Sequence, residues 1–199
     1  FQNVVAAVGR ASVRADFVSH VTKVTRRFGS RHAYDSYMPT IEEIVAAQSR
    51  LSPSELSHLR ALTEDWQLLA DLSFSDLVLW VQDREARGMW AVAQVRPTTG
   101  PTTMAVDVAG SFMPTYDYEG TDLVSFSPPA DVGVVRQTLP VVFDGRPIAV
   151  VVRREPDLPS RPVSELEATY RRTSASLIDM MGRGEFPATS HASSTSNQI

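Results

Sequence analysis

From Asp65 to Pro97 the chain reads DWQLLADLSFSDLVLWVQDREARGMWAVAQVRP, and this stretch decides the fold. Its first part closes an amphipathic helix. Leu77-Val-Leu-Trp-Val81 is an unbroken apolar run, as expected of a strand buried on both faces. Asp83-Arg-Glu-Ala-Arg-Gly88 is charged and ends in glycine, which suits a hairpin connection. Trp90-Ala-Val-Ala-Gln-Val95 is strand-like, although its alternation is imperfect. Pro97 and Thr98-Thr-Gly-Pro101 end it. A helix laid on this hairpin would seed one α+β core.

Upstream, Ser52-Pro53-Ser54-Glu55 predicts a helix start, with Ser52 as N-cap, Pro53 in the first turn and Glu55 closing a capping box. The spacing of Leu56, Leu59, Leu62, Trp66 and Leu69 predicts one helix running to about Leu72. His58, Arg60, Glu64 and Asp65 fall on other faces, which places His58 in solvent. Before it, Thr40 caps a short helix, Ile41 to Gln48, with Glu42 and Glu43 in its first turn.

Downstream, Thr102 to Val108 is a third strand candidate, with Met104, Val106 and Val108 on one face. Ala109 to Asp131 carries Gly110, Pro114, Gly120, Pro128 and Pro129 among Phe112, Tyr116, Tyr118 and Phe126. Such a long aromatic-bearing loop is either a binding loop or a cover for the core edge. Val132 to Phe143 is a strand with Pro140 marking an edge or bulge. Asp144-Gly145 is a two-residue hairpin signal. Pro147 to Val152 is a central strand, and Arg153 and Arg154 mark its emergence into solvent. Pro156, Pro159 and Pro162 stiffen the link to a last helix, about Pro162 to Met181, for which Ser164 and Glu167 form a capping box. Leu166, Tyr170, Thr173, Leu177 and Met180 make a heptad-like seam, to pack on the sheet or to pair with a second copy as a homodimer.

The chain has 199 residues, 43% apolar and 21% charged, which suits one globular domain with tails. It has no cysteine, so disulfides, thiol nucleophiles and cysteine-ligated metals are excluded. No apolar run approaches the roughly 18–20 residues of a membrane helix. The net charge of −4 gives no sign of direct nucleic-acid or membrane binding. Residues 1–37 hold six basic and two acidic side chains, net +4, leaving −8 for the remainder. They read as a separate, poorly packed basic extension, with a transit peptide or a translated upstream segment as further readings. The first residue is not Met, which suggests a fragment or a processed product. The folded unit is expected at 38–187, starting near Met38, and the Ser/Thr-rich tail at 188–199 is expected to be disordered.

Catalytic signatures are missing. There is no phosphate loop, dinucleotide fingerprint or nucleophile elbow. His20, His32, His58 and His191 lack metal-binding spacing, so neither a metal nor a catalytic residue is assigned. A small hydrolase or transferase built on scattered carboxylates is the weaker alternative.

Trp66-Gln-Leu-Leu-Ala-Asp-Leu-Ser-Phe74, Asp76-Leu-Val-Leu-Trp80 and Ala93-Gln-Val-Arg-Pro-Thr-Thr-Gly-Pro101 together resemble one family. It is the N-terminal GAF domain of actinobacterial cytosolic sensor histidine kinases of the PdtaS type. The resemblance resumes at Pro147 to Arg153, Leu166 to Tyr170, Leu177 to Met181 and Gly184 to Pro187. It implies a GAF/PAS-like antiparallel sheet of about five or six strands with flanking N- and C-terminal helices. It further implies a cytoplasmic, sensory role in a phosphorelay, with a cyclic dinucleotide as ligand class. The implied partners are a kinase core and an RNA-binding response regulator. Phosphoacceptor and ATP-binding parts are not seen in this stretch, so the chain itself is expected not to be an enzyme. The loop from Ser111 to Val132 departs from the family's pattern, and ligand identity rests on that loop. The expected pocket walls are Trp80, Trp90, Met104, Phe112, Tyr116 and Tyr118, with Arg96 and Arg136 as anion contacts. Each has a structural alternative, core for the tryptophans and surface for the arginines. Leu166, Tyr170, Leu177 and Met180 form the expected dimer and output face. A ligand-free dimerisation module or an inactive remnant is the alternative.

Overall fold

The computed structural model describes residues 39–117, 119, 122–123, 125–157 and 162–187. The basic extension, Met38, Tyr118, Pro159 and the Ser/Thr-rich tail lie outside the described residues. Helices α1 (Ile41–Gln48), α2 (Pro53–Glu64) and α3 (Trp66–Ser73) lead into strands β1 (Asp76–Gln82) and β2 (Gly88–Val95). Then come β3 (Phe112–Pro114), a 3-10 turn (Thr115–Asp117), β4 (Val134–Phe143), β5 (Arg146–Pro156) and helix α4 (Glu165–Gly182). The strands form one antiparallel sheet in the order β3-β2-β1-β5-β4.

β1 is central and buried on both faces, which explains its unbroken apolar run. Leu77, Leu79 and Val81 point to the helices, where they meet Leu59, Leu62, Trp66 and Leu69 of the predicted stripe. Val78 and Trp80 point to the opposite face, where they meet Met104, Met113 and Phe126. The imperfect alternation of β2 is a bulge. Leu79 pairs with Ala93 and Trp80 with Ala91, so Val92 is the extra residue. Val92, Ala93 and Val95 all join the helix-side core as a result.

Local signals hold at the helix starts. Thr40–Glu43 and Ser52–Glu55 are reciprocal capping boxes, and the Oγ of Ser164 accepts from the Glu167 N–H at 3.1 Å. Asp144 and Gly145 adopt φ of 50° and 73°, the type I′ signature.

Five expectations need correction. The predicted single helix is two, broken at Asp65 (φ −97°, ψ 3°), so that α3 turns its own stripe onto the sheet. Thr102–Val108 is not a strand, because Thr102 and Thr103 bond the Asp76 carboxylate instead of a neighbouring strand. The third strand is Phe112–Pro114. β4 starts at Val134 rather than Val132, after Gly133 turns the chain at φ 76°. β5 continues past Arg153 and Arg154 to Pro156, and their side chains are only 18% and 19% exposed. His58 is buried, because α2 lays it on the end of the β4–β5 hairpin, 4.9 Å from the Phe143 ring.

Gly88 meets a packing demand rather than a turn demand. In the β1–β2 connection the left-handed residue is Ala86 (φ 56°). A Cβ on Gly88 would strike the Met113 carbonyl and the Phe112 ring, so glycine is what lets β3 approach β2.

Candidate ligand-binding face

The sheet has a helix face and a loop face, and the expected pocket residues divide between them. β1 and β2 supply both tryptophans, yet Trp80 points to the loop face and Trp90 to the helix face. Trp80 is buried, with its ring 5.6 Å from that of Phe126. Met104 is buried on the same face, beside Met89, Met113, Val150 and Val152. Trp90 instead packs against Phe112 at 4.9 Å. Its Nε1 donates to Asp83 Oδ1 at 3.0 Å. Tyr116 projects from the 3-10 turn, 76% exposed. The structure therefore brings Trp80 and Met104 together, sets Trp90 and Phe112 apart from them, and leaves Tyr116 outside both groups.

The two expected anion contacts secure the loop to the sheet. Arg96 Nε donates to the Met104 carbonyl at 3.2 Å, and its Nη2 pairs with Asp107 at 2.8 Å. Gln94 supports this arrangement, donating to Asp107 at 2.7 Å and accepting from the Val108 N–H at 2.5 Å. Arg136 Nη1 donates to the carbonyls of Pro128 and Pro129. Burial lowers the Arg136 pKa, opposed by Asp131 and reinforced by Arg154.

Sequence reasoning missed the polar centre of this face. Asp76 is 1% exposed and accepts from Thr102 Oγ1 at 2.7 Å, Thr103 N–H at 2.5 Å and Thr103 Oγ1 at 2.6 Å. Arg154 Nε donates to Thr103 Oγ1 at 3.3 Å, and its Nη2 pairs with Asp131 at 2.6 Å. The usable signal was period two. Counting back from Trp80 and Val78 puts Asp76 on the same face, and counting on from Val152 puts Arg154 there.

Where β3 stops short, an open depression of about 480 Å³ runs along the second half of β2, flanked by Pro39, Gln67, Arg96 and Asp107. It is polar and shallow. The apolar space above Trp80 is filled by the protein's own side chains.

A central antiparallel sheet with helices on one face and a long loop on the other is the GAF type of sensory domain. The family model described as "Histidine kinase PdtaS, GAF domain" matches residues 41–174, and the chain belongs to this family. It is 34% identical over 164 residues to the sensor histidine kinase PdtaS of Mycobacterium tuberculosis (strain ATCC 25618 / H37Rv), covering 75% of this chain and 32% of that protein. It is 30% identical over 163 residues to PdtaS of Mycolicibacterium smegmatis, with the same coverages of 75% and 32%. A solved structure, "Sensor region of a sensor histidine kinase", superposes with a TM-score of 0.64 at 30% identity, over 76% of this chain and 55% of that one. The chain thus spans about a third of the length of these curated relatives, over the sensory GAF part. Among the described residues, no helix is long and apolar enough to cross a membrane.

Proposed function

We propose that this domain is the ligand-responsive input of a PdtaS-type kinase, and that α4 carries the response to a second copy and to a kinase core. The carrying observation is the division of α4. Ser174 and Met181 are buried, and Leu177 and Ile178 pack on the core beside β4, whereas Leu166 is 61% exposed. Tyr170 and Met180 are half-buried between these extremes. One side of the helix is thus held by the sheet and by α3, and Leu166 near its N-terminus is the large apolar side chain it leaves exposed to a partner helix.

In this reading the loop face, with Trp80, Met104, Arg96 and Arg136, is the sensing surface, and a cyclic dinucleotide is the ligand class to test first. The downstream partner is an RNA-binding response regulator reached through phosphotransfer in the cytoplasm. A ligand acts only through unequal affinity for two arrangements of the domain.

The test uses Leu166→Lys, because Leu177 is packed in the core and its replacement would confound folding with assembly. The chain is expected to run as a dimer by light scattering, the variant as a folded monomer that still melts cooperatively and whose melting temperature no longer depends on protein concentration. A cyclic dinucleotide should raise the melting temperature of the parent chain by linkage. A dimer insensitive to Leu166→Lys removes α4 from the interface. A flat thermal response to cyclic dinucleotides removes that ligand class.

A further inference from the structure

One row of side chains crosses the loop face at the end of the sheet. Asp76 of β1 is the cross-strand partner of Arg154 in β5, which in turn partners Arg136 in β4. Asp76 accepts from Thr102 and Thr103 and is linked to Arg154 through Thr103 Oγ1, while the two guanidinium groups stand side by side on the neighbouring strands. Like charges directly opposite in an antiparallel pair destabilise it. Both groups are also largely withdrawn from water, which worsens the repulsion.

Besides Asp76, one short segment meets this charge. Pro128 and Pro129 turn their carbonyls onto Arg136, and Asp131 turns its carboxylate onto Arg154. The Asp131 side chain is 48% exposed, so it can leave for water, whereas that of Arg154 is only 19% exposed and is anchored on a strand. Two adjacent guanidinium forks offer more donors than one carboxylate accepts. A phosphoryl group, with several terminal oxygens, fits that donor set.

We propose that Arg136 and Arg154 form a subsite for a phosphoryl-bearing small molecule, and that Asp131 fills it as a built-in carboxylate until such a ligand displaces it. The proposal rests on the sensory reading above and deepens it. It locates the anion contact at the β4–β5 end of the loop face, and it makes the Pro128–Asp131 segment the part that moves on binding.

The test titrates the full 199-residue chain and its Asp131→Asn variant with inorganic phosphate and pyrophosphate, using chloride at matched ionic strength as control. Calorimetry should show saturable binding to the parent. The variant, freed of the competing carboxylate, should bind roughly three- to tenfold more tightly. Arg154→Gln should abolish binding. Should that variant misfold, the guanidinium Nε–H signals of Arg136 and Arg154 in the parent should still shift on addition of phosphate and not of chloride. Equal responses to phosphate and chloride in both parent and Asp131→Asn overturn the proposal and leave the arginine pair as a loop clamp. That failure leaves the sensory reading standing, because the latter is tested through α4 and organic ligands.

Discussion

Asp83 closes the β1–β2 connection with a side chain only 1% exposed. Burial alone would raise its pKa. Hydrogen bonds from Arg87, Trp90 and the Glu85 and Arg87 N–H groups outweigh burial and hold it at about 2. A depressed carboxylate stabilises above its unfolded pKa and loses that contribution as pH falls through the folded value. Asp83 should therefore add about 2 kcal/mol near neutrality, lost between about pH 4 and pH 2. Asp83→Asn should flatten that part of the stability profile in urea titrations taken at stepped pH. His58 behaves differently. Neither ring nitrogen has a hydrogen-bond partner, and burial depresses its pKa. The unfolded chain thus takes up the proton first, so stability is complete above about pH 6.5 and falls as the solution is acidified below it. Nearby Glu55, opposed by burial but held below its usual range by hydrogen bonds from Ser52 and then by Arg146, acts in a more acidic window. His58→Leu should remove the loss just below pH 6.5 without lowering the melting temperature at pH 7.5; a steeper acid loss in the variant would refute this account.

Among the elements, the Thr102–Met104 segment shows how side chains override strand propensity. Its alternation was real, and Met104 does face the sheet, but the hydroxyls of Thr102 and Thr103 found a buried carboxylate before a strand partner. Asp76→Ala would strand three donors next to the sheet. It should cost roughly 2–4 kcal/mol by denaturant titration. It should also speed amide exchange at Thr103 and Met104 while leaving α2 protected. Loss of protection in α2 as well would mean that Asp76 supports the whole sheet rather than the loop. The C-cap of α3 is a second case. Phe74 sits at φ 52°, where glycine is the usual occupant, and its ring stacks on Tyr170 at 6.3 Å under the Arg171 guanidinium at 5.6 Å.

At the scale of the molecule, α4 is attached unevenly. Its C-terminal half packs on β4 and α3 through Ser174, Leu177, Ile178 and Met181. Its N-terminal half is held by Phe74 and by the ion pair of Arg171 with Glu155 of β5, 3.3 Å long, whereas the pair of Arg171 with Glu167 lies within the helix. Exposed pairs of that kind contribute little, at most about 1 kcal/mol each. Amides of residues 167–172 should exchange sooner than those of 175–181. Uniform protection along the helix would argue against α4 as a two-state output.

The sequence by itself determined the elements whose cause is local. Capping residues start helices wherever a serine or threonine precedes the right glutamate, as at Thr40 and Ser52. Asp144-Gly145 turns a hairpin for steric reasons internal to the dipeptide. The apolar run of β1 required burial on two faces, and the resemblance to the family supplied the class of fold. Only the tertiary structure decided which face each aromatic took. One inserted residue at Val92 changes the alternation within β2, and the sheet's neighbours, not its spacing, put Trp80 and Trp90 on opposite sides. The same holds for His58 and for the row Asp76, Arg154, Arg136. These residues lie up to 78 positions apart in the sequence, and only the pairing of β1, β5 and β4 makes them neighbours.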